Sequence, residues 1–369
     1  MQTDSPDPNN PNSPSNSPKQ AKSQKNTKTK PIQHPDYVKA EMDRRTFFRR
    51  LTTVGGIAGA ATYVAAAPEN WPLSMRDSSG LRSVPQHKPF SLRDFRVEKP
   101  FGKADVGIGR QGTPQEKLMA ALDAIGGIKH YIEPGDIVLL KPNVAFDRAP
   151  NLGATSNPEL VELIIKMLLV DCRAQEVRVA DNPIESPADC FEKSKVRYAT
   201  EKGGGRIYLP DSNAFKMLNT PGAELIENWW FFQRPFTNVD KVIGLAPIKD
   251  HNLCHASMGI KNWYGLLGGT RNQFHQDIHG IVSDLSIMIR PTMTILDGTH
   301  ILMQNGPTGG DPSNVKPGDA VIAAVDPVAA DAWAFEHLLE RGRDYPEYLY
   351  KAEQKGSGIL NWDGRVRIV

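Results

Sequence analysis

From about position 130, apolar residues come in short runs, and each run ends on polar or charged side chains. Ile137-Val138-Leu139-Leu140 runs into Lys141-Pro142-Asn143, and Glu176 to Ala180 runs into Asp181-Asn182-Pro183. Lys241 to Ile248 ends at Lys249-Asp250-His251, Thr292 to Leu296 at Asp297-Gly298, and Ala320 to Val325 at Asp326-Pro327. Runs of this length without strict alternation predict strands buried on both faces. Between them the period changes. Ser156-Asn157-Pro158-Glu159 offers a capping side chain, a proline in the first turn and a carboxylate near the positive helix end. Leu160, Val161, Ile164, Ile165, Leu168 and Leu169 then follow at helical spacing. Asp326 and Pro327 open another helix, through about Leu339. Strand alternating with helix predicts an α/β fold, a mostly parallel sheet with helices on both faces. One domain over 91–369 accommodates all of it, with a two-lobed arrangement as the alternative.

The amino-terminal pattern is of another kind. Residues 1–43 are basic and rich in Pro, Ser, Asn and Lys, too poor in apolar surface to offset chain entropy, which predicts disorder. Asp43-Arg44-Arg45-Thr46-Phe47-Phe48 then leads into the Gly/Ala-rich run Leu51 to Ala67. Segment 44–67 resembles a twin-arginine export signal, with cleavage after Ala66 and 68–90 as linker. The implied partner is the twin-arginine export machinery, and the implied location the periplasm or cell envelope. An uncleaved anchor is the alternative, although a 17-residue soft run is marginal as a membrane span.

Composition narrows the classes. The chain of 369 residues carries a net charge of +2, but residues 1–50 hold +5 and the remainder −3. A slightly acidic body gives no electrostatic case for nucleic acid. Cys172, Cys190 and Cys254 share no CxxC spacing, so they supply neither a ferredoxin-type cluster nor a disulfide framework. Zincin, nucleophile-elbow, P-loop and Rossmann signatures are missing.

Candidate chemistry gathers between 249 and 279. Lys141 and Lys249 at strand ends are poor caps and good anion contacts, and with Asn143 and Asn262 they form the expected substrate-binding set. Lys261 and His251 are the expected catalytic pair. Asp181 and Asp326, by contrast, read as caps. His251 and His255 are four apart, as are His275 and His279, so all four are candidate metal ligands for nickel, zinc or iron. On a helical wheel His275 and His279 flank the stripe Ile278, Ile281, Val282, Leu285, Ile289, whereas His251 fits a strand-to-helix turn. The loop Asn305 to Gly310 reads as a turn.

Two resemblances follow. Lys141-Pro142-Asn143, Asn157-Pro158-Glu159, Lys249-Asp250-His251, Gly259-Ile260-Lys261-Asn262 with Gly265, Asp297-Gly298, Gly306-Pro307 with Gly310, and Asp326-Pro327-Val328-Ala329-Ala330-Asp331 occur in the order seen in domain-of-unknown-function family 362. The resemblance spans roughly 130 to 340 and implies the fold class. Many members of that family carry iron–sulfur cysteine motifs, which this chain lacks. Locally the chain is also similar to the nickel-dependent lactate racemase group: His251 precedes Lys261 by ten residues, and His275 and His279 follow. That resemblance implies a lysine-tethered nickel cofactor. Together these readings predict an exported, metal- or cofactor-dependent redox or proton-transfer enzyme acting on a small anionic substrate. The alternative is a non-catalytic envelope protein that binds a metal or cofactor or passes electrons.

Overall fold

The computed structural model describes residues 88–369, so the signal segment and basic N-terminal region lie outside the described residues. In chain order the strands are β1 (Val106–Gly109), β2 (Ile137–Lys141), β3 (Glu176–Ala180), β4 (Arg206–Tyr208), β5 (Phe215–Asn219), β6 (Asn228–Phe232), β7 (Lys241–His251), β8 (His255–Ser257), β9 (Met293–Leu302), β10 (Val315–Ala324) and β11 (Val366–Ile368). The helices are α1 (Pro114–Ile125), α2 (Ile128–Tyr131), α3 (Pro158–Lys166), α4 (Pro187–Lys193), α5 (Val196–Gly203), α6 (Gly259–Asn262), α7 (Ile278–Met288), α8 (Pro327–His337) and α9 (Glu347–Gln354).

Nine strands form one sheet in the order β11-β1-β10-β9-β7-β2-β3-β4, with β8 paired to the end of β7. The pairs β7–β9, β2–β7, β2–β3 and β3–β4 are parallel, while β10 runs against both of its neighbours. The fold is thus α/β with a mostly parallel sheet flanked by helices. Successive side chains of a strand point to opposite faces, so the apolar strands feed two cores at once. Val138, Leu140, Ile243 and Leu245 pack with Leu118 and Leu122 of α1, Ile164 of α3 and Ala199 of α5. Leu139 and Val242 face the other way, into a core with Trp263, Ile281 and Leu285 of α7, and Tyr348 of α9.

Local signals account for the helix starts. Asn157 accepts from the Glu159 amide at 2.9 Å ahead of α3, and Asp326 accepts from the Ala329 amide at 3.0 Å ahead of α8. Both prolines sit in the first turn.

Two expectations need correction. Strand β7 does not stop at Ile248. It continues through Lys249 to His251 and turns back as β8, so His251 lies on a hairpin and not in a turn into a helix. His275 and His279 do not share one helix either. Asp277 accepts from the Gly280 amide at 2.8 Å and starts α7 there, leaving His275 in the preceding 3-10 segment Arg271–Asp277. The stripe from Ile278 to Ile289 is buried as expected. The hairpin β5–β6 was not anticipated. It braces the segment after α6, through Gly268 N–H to the Trp230 carbonyl at 2.8 Å and Trp229 Nε1 to the Gly268 carbonyl at 3.0 Å.

Candidate functional site

Lys141, Asp181 and Lys249 stand at the carboxyl ends of the adjacent parallel strands β2, β3 and β7, where open α/β sheets place their ligands. Lysines 141 and 249 are 0% and 1% exposed. Every proton of the Lys141 ammonium is placed: the Asp181 carboxylate at 2.8 Å, the Asn262 Oδ1 at 2.8 Å and the Pro142 carbonyl at 2.8 Å. Lys249 has no carboxylate partner. It donates to Asn143 Oδ1 at 3.1 Å and the Ala154 carbonyl at 2.6 Å, with its Nζ 5.2 Å from the centre of the Phe146 ring.

Two asparagines join the lysines into one network. Asn143 Nδ2 donates to Asn262 Oδ1 at 3.1 Å, and Asn262 Nδ2 donates to the carbonyls of Lys141 and Leu245 at 3.2 and 3.3 Å. Ser156 closes the circle, accepting from the Asn143 amide and donating to the Leu245 carbonyl. Glycine is needed at 265 for this arrangement: an added Cβ would lie 2.0 Å from Asp181 Oδ1 and 2.9 Å from Lys141 Nζ.

Lys261 and Asn262 belong to α6, which is anchored from below. Asp331 of α8 is fully buried and accepts from the amides of Gly259 and Ile260 at 2.9 and 3.0 Å. Gly259 allows the approach, since a Cβ there would sit 2.7 Å from Thr294 and 2.9 Å from Asp331. Burial pushes the Asp331 carboxyl up to about 7, even with the two amide bonds opposing it.

Lys261 itself is half-buried, and its Nζ has no hydrogen-bond or ion-pair partner among the described residues. It lies 5.2 Å from the Tyr264 ring centre, a ring it shares with the guanidinium of Arg271 at 5.8 Å. Arg271 is buried and donates only to the carbonyls of Pro183, Tyr264 and Leu267.

The charges therefore do not balance. Lys141, Lys249, Lys261 and Arg271 face one another with Asp181 as the one carboxylate, among the described residues, that bears on them. Burial lowers the Lys249 ammonium to about 7, and the charges of Lys261 and Lys141 add to the effect. Burial holds Lys261 below the ordinary lysine value against an opposing pull from Cys254, with a smaller contribution from Arg271. His251 is pushed down to about 2 by burial, with Lys261, Lys249 and His275 opposing its protonation. It is a neutral imidazole whose Nδ1 accepts from the Leu253 amide at 3.2 Å, which leaves the proton on Nε2.

The histidines do not converge on one point. His255 is exposed and faces His279 with ring centres 6.3 Å apart, and His279 stacks on Tyr348 at 6.2 Å. His275 bonds through Nδ1 to the Asn272 carbonyl and meets Tyr264 edge-on at 5.8 Å. Among the described residues no three His, Cys, Asp or Glu side chains gather to hold a metal ion. With His251 carrying its proton on Nε2 and the other rings not converging on it, this donor set does not fit a shared metal. The three thiols are buried and raised to about 11, 12 and 11 by burial, unlike cluster-ligating thiolates.

Of two open clefts, one borders this network. One of about 420 Å³ is lined by Asp250, His251, Asn252, His255, Phe335, Arg341 and Asp344, so it meets the network only through His251. Its Asp250–Arg341 pair is already matched at 2.6 Å, and the Gly306 amide caps the same carboxylate at 2.9 Å. A second, of about 540 Å³, lies at residues 90–95 and 233–240.

The structure thus brings Lys141, Asn143, Lys249, Asn262, His251 and Lys261 together. Sequence reasoning missed Arg271, which sits in a polar stretch with no distinguishing signal, and assigned Asp181 only a capping role. It also passed over Asp331, although a lone carboxylate inside Val328-Ala329-Ala330-Asp331-Ala332-Trp333 is a visible signal. No helix among the described residues is long and apolar enough to cross a membrane.

Comparison with known proteins gives a family and three weaker likenesses. The family described as Domain of unknown function (DUF362) matches residues 138–336, more than half of the chain. The chain is 26% identical over 246 residues to a thylakoid-associated protein of Synechocystis sp., covering 62% of this chain and 71% of that protein. Similar solved structures include the lactate racemase apoprotein from Thermoanaerobacterium thermosaccharolyticum, at 12% identity and TM-score 0.37, covering 67% of this chain and 60% of that one. A Thermotoga maritima protein matches at 13% identity and TM-score 0.40, covering 64% of this chain and 60% of that one. The chain spans about 60% of the length of both structures, and at these TM-scores neither likeness bears on function.

Proposed function

The chain belongs to the DUF362 family, and for this member we propose a binding site for a small anion, a carboxylate or phosphate, at which lysine and histidine move a proton. The observation that carries the reading is Lys249, a fully buried amine that meets no carboxylate. An ammonium buried without a counter-ion is costly, and the cost falls when an anion enters its field. The surplus of cations over Asp181 supports a ligand that brings negative charge with it. Lys141 and Asn262 act as the fixed frame, and Lys249 and Arg271 supply field from behind. Lys261 and His251 are the groups free to touch the ligand. Lys261, whose ammonium burial holds below the ordinary lysine range, serves as general acid or base, whereas His251 serves as a neutral hydrogen-bond donor.

The test is calorimetric titration of the full chain with oxalate and with inorganic phosphate. Binding of at least one, weakened tenfold or more in Lys249→Met, supports the reading. Absence of binding by both, or unchanged affinity in the variant, contradicts it.

Export belongs to the same proposal and rests on Arg44-Arg45 ahead of the 51–67 run. Arg44→Lys with Arg45→Lys should hold the chain in the cytoplasm, and undiminished delivery to the envelope would refute export by that route.

A further inference from the structure

We infer that Lys261 is a carbonyl-trapping nucleophile, whose amine condenses with the aldehyde or ketone group of a small oxo acid held by the surrounding cations. The inference rests on the anion-binding reading and deepens it by naming the substrate class.

Three placements carry it. Lys141 and Lys249 are walled in, with their protons committed to Asp181, Asn262, Asn143 and backbone carbonyls. Lys261 has no such partner and is half-buried, so of the three lysines it is the one with exposed surface. Its surroundings disfavour an ammonium. Lys249 and Arg271 lie within electrostatic reach, no carboxylate pairs with it, and the Tyr264 ring covers one side at 5.2 Å. Crowding by a second cation and desolvation are the two standard ways in which a protein keeps a lysine amine neutral enough to attack a carbonyl. The position is also fixed. Asp331 clamps the first amides of α6, and Asn262, the next residue, is bonded on both sides of its amide. Nothing in this arrangement serves packing alone, since an apolar side chain at 261 would fill the same space without introducing a third cation.

The chemistry closes without an external oxidant or reductant. The Nζ lone pair forms the C–N bond as the carbonyl π pair moves to oxygen, and one nitrogen proton follows it. The C–O bond then breaks, water leaves with the second nitrogen proton, and an imine remains. The neutral His251, with its proton on Nε2, is the hydrogen-bond donor available to the departing oxygen. The carboxylate of the oxo acid fills the negative charge that Lys249 and Arg271 lack.

The experiment treats the full chain with glyoxylate and sodium borohydride, which reduces an imine to a stable secondary amine, and maps adducts by peptide mass spectrometry. Expected is one carboxymethyl group on Lys261, suppressed by excess oxalate, with other lysines modified only at the level seen in the unfolded chain. Lys261→Arg keeps the cation but cannot form an imine, so it should lose the adduct while keeping a cooperative thermal transition. If oxalate and glyoxylate bind but Lys261 carries no adduct above the unfolded control, the nucleophile is refuted and the anion site stands. If neither binds, the anion-binding reading falls and this inference falls with it.

Discussion

Asp181 and Asp326 look alike in the sequence: each ends an apolar strand and is followed within two residues by proline. In the fold they sit in opposite kinds of surroundings. Around Asp326 the charges match. Arg365 bridges Asp326 at 2.8 Å and Asp105 at 3.0 Å, and Lys99 meets Asp105 at 2.7 Å. Asp326 further accepts from the amides of Ala329 and Ile359. Two cations face two carboxylates, with nothing left for a ligand. Around Asp181 one carboxylate bears on three cations, Lys141, Lys249 and Arg271, two of them lysines buried to 1% exposure or less, and Lys261 adds a fourth cation beside them. Proteins seldom retain buried charge without a partner, so the unmatched end of the sheet is the one that awaits a ligand. The lesson is that a strand-end charge marks a site only when its neighbours fail to neutralise it.

The largest effect should come from breaking the one ion pair at the unmatched end. Asp181→Ala strands the Lys141 ammonium and removes the acceptor for the Val144 amide, costing about 3–5 kcal/mol by chemical denaturation. Lys141→Met combined with Asp181→Leu should recover part of that loss, because no unpaired charge remains. Gly265→Ala forces a methyl onto Asp181 and should cost about 1–3 kcal/mol while lowering oxalate affinity more than tenfold. At the matched end, Asp326→Ala should cost about 1–2 kcal/mol, through the lost cap of α8, and leave oxalate binding unchanged. A binding defect there as large as that of Gly265→Ala would erase the distinction between the two ends.

The smallest effect is in the pH dependence, and its sign follows from Lys249. Its folded value of about 7 lies below that of an unfolded lysine. The unfolded chain therefore holds more protons between the two values, so this group's contribution to stability rises with pH from about 7 towards the ordinary lysine range. Oxalate binding runs the opposite way, because the ammonium is lost as pH rises through about 7. Affinity should fall roughly tenfold across that step, and Lys249→Met should flatten both profiles. Parallel profiles in wild type and variant would take Lys249 out of the site.

Much of this site is legible in the sequence, for identifiable reasons. Lys141 and Lys249 stand out because each closes an apolar run, where a long cation has no capping use. The spacing that singled out His251 and Lys261 did not reveal the hairpin β7–β8 on which His251 lies. Histidine spacing misled for a physical reason: four residues apart implies one face only within one helix. The cap at Asp277 and the turn after His251 break both pairs. Pairing was not legible at all. Whether Asp181 would neutralise a lysine, or Arg271 would find a carboxylate, is decided by contacts of the kind that join Lys141 to Asp181, 40 positions on, and to Asn262, 121 positions on, which no local pattern carries. The aromatic run in β6 likewise gave no hint that it would brace the loop bearing Gly265 and Gly268.

The most direct measurement of the central claim is a crystal structure of the full chain soaked with oxalate. The account predicts the anion beside Lys261, within hydrogen-bond distance of its Nζ or of His251 Nε2, with the Lys141–Asp181 pair intact. Oxalate bound instead to the Asp250–Arg341 cleft, with density absent beside Lys261 at saturating concentration, would contradict it.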